Sequence, residues 1–123
     1  MTGNRAAPTP AELLAMAREL AGRSGVMAGV WPRAASLLAR QSLEAAMADF
    51  WVRRGLDLGS TSTRAQLLCL PAYAGAETAR QTSWTWWSLT RSCHYHPYEL
   101  PPTAAELDGT FDAVDALLAR LAR

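Results

Sequence analysis

The stretch RSCHYHPYEL, Arg91 to Leu100, gathers an arginine, a cysteine, two tyrosines and both histidines of the 123-residue chain. An imidazole takes a proton from a hydroxyl near neutral pH and returns it to a leaving group. A guanidinium holds a phosphate through two parallel hydrogen bonds and offsets the extra charge of a pentacovalent transition state. Arg91 and His96 together therefore suit metal-free RNA cleavage, with the ribose 2′-OH as the internal nucleophile. RNA supplies that hydroxyl and DNA does not.

Positions 91 and 96 would point about 140° apart on an unbroken helix. Pro97 disfavours helical backbone at His96 and ends the hydrogen-bond ladder. The expectation is a helix ending near Tyr95, with Arg91 in its last turn and His96 and Tyr98 swung back toward it.

Other readings of the same residues compete. Arg91 satisfies carbonyls and the dipole at a helix C-terminus in the ordinary structural case, and His94 and His96 are then half-buried neighbours. A zinc site from Cys69, Cys93, His94 and His96 lacks the paired spacing such sites use. Cys93 has no acyl-transfer motif beside it, and a helix C-terminus raises a thiol pKa. No metal or organic cofactor is expected.

The positioning elements all read as helices. Thr9-Pro10-Ala11-Glu12 is a capping box with proline at the first helical position, and it opens a helix over about 10–22. The longest helix spans about 32–54 and stops at Gly55, with Ala35, Leu38, Leu43, Ala46, Met47, Phe50 and Trp51 as its apolar positions. Arg40 and Glu44 interrupt that surface four residues apart and can pair. A short helix over about 64–70 ends at Pro71. Another, about 77–95, carries Trp84, Trp86 and Trp87, which cannot share one face. Trp84 and Trp87 trace one side, Trp86, Leu89 and Cys93 the other, so this helix has a second apolar face on which a second subunit could pack. Thr103 to Glu106 caps the last helix, about 104–122, where Leu107, Phe111, Val114, Leu118 and Leu121 form a seam. There is no strand pattern and no internal repeat. The expected fold is all-α, a four-helix bundle with one short extra helix in a single domain.

The composition excludes some partners. Formal net charge is +1, so no global field attracts nucleic acid or membrane, and any anion site must be local. All twelve cationic side chains are arginine, which fits a GC-rich bacterial coding bias and carries no function. Two cysteines make no disulfide framework, and no apolar run is long enough to cross a bilayer. With no signal-peptide core in the first residues, a cytoplasmic protein is expected.

Arg91-Ser92-Cys93-His94-Tyr95-His96 resembles the R-x4-6-H motif of HEPN domains, small all-α proteins that often act as metal-independent ribonucleases. Extended to Tyr98, it resembles the R-x4-H-x-Y form of HEPN toxins paired with a minimal nucleotidyltransferase antitoxin. AASLLARQSLEAAM is similar to the long second helix of those domains. The resemblance implies that Arg91 and His96 are the catalytic pair at the cleft of a homodimer that accepts RNA. It implies that Ser92 helps orient the site, that Glu44 orients Arg91, and that Tyr98 is the residue the partner modifies with AMP. His94 falls outside the motif, as a neighbour that contacts RNA or packs. The other function in view is a non-catalytic HEPN-like dimer that binds RNA, a nucleotide or a protein.

Overall fold

The computed structural model describes residues 6–22, 31–94, 100 and 102–123. Among them every regular element is a helix: α1 (Pro10–Gly22), α2 (Trp31–Arg53), α3 (Thr63–Cys69), α4 (Pro71–Ala74), α5 (Ala76–Cys93) and α6 (Ala104–Leu121). The all-α expectation holds. None of these helices is long and apolar enough to cross a membrane.

The ends of the helices follow local chemistry. At α1 the Glu12 amide donates to Thr9 Oγ1 at 3.1 Å, and the Thr9 amide donates back to Glu12 Oε1 at 3.3 Å. Both halves of the capping box are formed. At α6 the Glu106 amide donates to Thr103 Oγ1 at 3.1 Å. α2 ends in a Schellman motif: Gly55 takes φ +69°, its amide donates to the Val52 carbonyl, and the Leu56 amide reaches the Trp51 carbonyl. Leu56 then packs on the cluster that contains Trp51.

α2 is the central element and packs on α1, α5 and α6. Between its large apolar residues it buries Ser36 and Ser42, whose small side chains allow close approach. Ser42 Oγ donates to the Pro10 carbonyl at 2.6 Å, which fastens the start of α1 to the middle of α2. Trp51, fully buried, donates from Nε1 to Gln66 Oε1 at 3.1 Å and meets Tyr73 edge-on with ring centres 5.5 Å apart. That pair of contacts fixes the α3–α4 corner to α2.

Pro71 does end α3, yet it also opens the four-residue α4, for which its fixed φ suits the first helical position. Gly75, at φ +88°, then breaks the chain before α5. α5 buries Ala79, Thr82, Thr85, Trp86 and Leu89. α6 buries Leu107, Phe111, Val114, Leu117 and Leu121, with Leu118 half-buried where two hydrophobic clusters meet. The seam thus includes Leu117, which the four-three spacing passes over.

Candidate functional site: the last turns of α5

α5 ends two residues earlier than its sequence suggests. The last helical residue is Cys93, and His94 leaves the helix with extended backbone, φ −91° and ψ 144°. Its amide still reaches the Arg91 carbonyl at 3.3 Å. The expected roles of His96 and Tyr98 lie outside the described residues, as does the predicted turn at Pro97.

Arg91 is exposed in the last turn, and it lines a cleft of about 460 Å³ between α5 and the first half of α6. Trp84, Ser88 and Ser92 line the same cleft from α5, and Glu106, Gly109, Thr110 and Ala113 from α6. Two serine hydroxyls run up this side of the helix: Ser88 Oγ donates to the Trp84 carbonyl at 2.9 Å, and Ser92 Oγ to the Ser88 carbonyl at 3.0 Å. Each hydroxyl has its single hydrogen engaged and keeps acceptor capacity toward the cleft. Ser92 is therefore available to accept a hydrogen bond at the site and not to give one.

The opposite side of α5 carries a separate polar group. Cys93 is half-buried against α2, and its thiol pKa is raised by burial first; nearby Arg40 lowers it and Glu44 raises it. Arg40 Nε stands 3.7 Å from Glu44 Oε1, with both side chains largely covered. Thr63 Oγ1 donates to Glu44 Oε2 at 2.9 Å. Glu44 thus faces Arg40, Thr63 and the Cys93 side of α5. Two residues along a helix is about 160° of rotation the short way, so Cys93 and Arg91 point in nearly opposite directions. The structure groups Arg91 with Ser92, and groups Glu44 with Arg40 and Cys93.

His94 is exposed beside these residues at the helix end. Cys69 is exposed at the end of α3. Among the described residues no three His, Cys, Asp or Glu side chains come together as a metal would require.

The three tryptophans separate as the helical angles require. Trp86 is buried, whereas Trp84 is 69% and Trp87 45% exposed. Trp84 lines the Arg91 cleft and also a second one of about 440 Å³ further back along α5, with Arg80, Gln81 and Ala116. Trp87 lies about 60° round the helix from Trp84, and the Arg64 guanidinium lies 5.4 Å from its ring centre. The α6 wall of the two clefts was a signal available in the sequence. Gly109, Ala113 and Ala116 recur at helical spacing, and small residues along one strip of a helix leave a groove beside it.

Comparison with protein-family models, with curated proteins and with solved structures finds no match. The functional reading therefore rests on the residues and their geometry.

Proposed function

We propose that the chain is a metal-independent endoribonuclease of the HEPN type, acting in a toxin–antitoxin or defence system. One observation supports it above the others: Arg91 stands exposed at the rim of a cleft, with the acceptor-capable Ser92 beside it. On this reading the ribose 2′-oxygen attacks the adjacent phosphorus and the bond from phosphorus to the 5′-oxygen breaks. His96 moves the proton, from the 2′-OH or to the leaving 5′-oxygen, and Arg91 holds the charged phosphoryl oxygens. The products are a 2′,3′-cyclic phosphate and a 5′-hydroxyl. Because the guanidinium carries the charge and the imidazole the proton, the step itself calls for no metal.

One chain supplies one Arg91–His96 pair, whereas the step uses both a base and an acid. A symmetric dimer supplies the second imidazole. The same proposal assigns Tyr98 as the residue a nucleotidyltransferase-type partner modifies with AMP, filling the space beside Arg91 with phosphate. The HEPN-like four-helix arrangement is likewise part of this proposal.

The test is cleavage of single-stranded and transfer RNA in EDTA. The wild-type chain is expected to leave cyclic phosphate ends, with a rate that peaks near neutral pH. Arg91→Ala and His96→Ala are each expected to lower the rate by about 100-fold or more, with mass and thermal melting unchanged. RNA that is bound and never cut would favour the non-catalytic binding protein instead. A flat rate between about pH 5 and pH 8 would remove His96 from the mechanism.

A further inference from the structure

Trp84 belongs to a regular stripe. Arg80, Trp84, Trp87 and Arg91 follow at steps of four, three and four along α5, and all four are exposed. Trp84 and Ala113 line both clefts between α5 and α6, so the two join into one groove that passes the Trp84 ring. Arg80 stands at one end and Arg91 at the other, about 16 Å apart along the helix. At the Arg80 end Arg120 also reaches across from α6 to Gln81.

We infer that this groove binds single-stranded RNA, with an unpaired base stacked on Trp84 and the backbone held by Arg80 and Arg91. Base-on-indole stacking uses the exposed ring face and is tolerant of sequence. A duplex keeps its base faces inside and cannot use Trp84 in this way. At about 3.4 Å per nucleotide, a stacked strand of about five nucleotides spans the two arginines. Small residues at Gly109, Ala113 and Ala116 leave room for the strand on the α6 side.

Carboxylates touch the groove in two places. Glu77 holds Arg80 at 2.6 Å, and Glu106 lines the Arg91 end. The Arg80 pair lies in solvent, where an ion pair is weak enough for a phosphate to displace.

A second copy of the chain suits this stripe less well. A two-fold through the tryptophans sets Arg80 against Arg91 if the helices run antiparallel. If they run parallel, it sets each arginine against itself. Either pairing brings arginine to arginine with Glu77 and Glu106 beside them, and it leaves the Trp84 ring no base to stack on. A single strand instead offers phosphate to both arginines and a base face to the indole.

The inference rests on the ribonuclease reading for its choice of ligand, and the experiment separates the two. The probe is a labelled 2′-O-methylated oligouridylate of about ten nucleotides, which can bind and cannot be cut because it lacks the 2′-OH. By fluorescence anisotropy, Trp84→Ala and Trp84→Leu are each expected to weaken binding about tenfold or more. Trp84→Phe keeps a ring and is expected to stay within about threefold of wild type. The side chain is exposed, and matched thermal melts identify properly folded variants. Wild-type-like binding by Trp84→Ala, leucine performing as well as phenylalanine, or no binding by the wild type overturns the inference. So does a Trp84→Ala variant whose only change is dissociation of a dimer by light scattering. Trp84-dependent binding without cleavage of ordinary RNA leaves the groove standing and removes the nuclease. Cleavage that ignores Trp84 does the reverse.

Discussion

At the scale of single residues, the two chemically distinctive groups at the end of α5 are kept apart by helix geometry. Arg91 faces the groove and Cys93 faces α2, although only Ser92 lies between them. Burial holds the Cys93 thiol protonated by raising its pKa above the ordinary range, an effect Arg40 partly opposes. A thiolate is the reactive form, so Cys93 should be a slow nucleophile at neutral pH. Cys69, at the end of α3, is exposed to solvent and open to a reagent. Iodoacetamide at pH 7.5, followed by peptide mass mapping, is expected to label Cys69 well before Cys93. Faster labelling of Cys93 would show that its surroundings are not those described. The sign for stability follows from the same shift. A thiol with a raised folded pKa favours the folded state below its unfolded pKa, and that advantage is lost as pH climbs through the folded value.

At the scale of elements, the α3–α4 corner depends on one buried bond. Trp51 donates to Gln66, whose Nε2 donates in turn to the Thr61 carbonyl at 3.0 Å. Gln66→Leu keeps apolar bulk and strands the indole N–H inside the core. That costs about 1–3 kcal/mol, the desolvation of an unpaired donor. For a domain of this size the melting temperature should fall by roughly 3–10 °C. Adding Trp51→Phe removes the stranded donor, so the double variant should lose less than the two single losses added together. Strict additivity in thermal melts would mean the bond carries nothing. This contact also marks the limit of what spacing reveals. The capping box at Thr9, the stop at Gly55 and the seam through Phe111 are local, and the sequence states them openly. Gln66 and Ser42 carry no local sign of the contacts they make. Each owes its role to a neighbour distant in sequence, Trp51 for Gln66 and Pro10 for Ser42. The candidate site divides in the same way. The place of Arg91 and Ser92 in the last turn of α5 was legible because the helical pattern runs out there. The strip of small residues on α6 was readable too, but that it walls a cleft beside α5, and the company Glu44 keeps, depend on how helices pack.

At the scale of the whole molecule, a net charge of +1 spread over separate arginines and carboxylates gives RNA little long-range attraction. On the proposed reading affinity comes from the groove itself, and its dependence on salt counts the contacts. Arg80 and Arg91 are the two arginines that line the joined clefts. Single-stranded ligands release about 0.7 of a counterion per neutralised phosphate, so two contacts predict a slope of about −1.4 in log K against log salt. Most of the remaining affinity then belongs to stacking on Trp84, which salt screens little. The oligouridylate titration, repeated between about 50 and 200 mM salt, should therefore lose only about sevenfold in affinity for a fourfold rise in salt. Arg80→Ala should flatten the slope by about 0.7, whereas Trp84→Ala should lower the affinity and leave the slope in place. A wild-type slope of about −3 or steeper would require further arginines to join the contact, such as Arg64 beside Trp87 or Arg120 beyond Gln81. The strand would then follow the whole face of α5, and the groove alone would not account for binding.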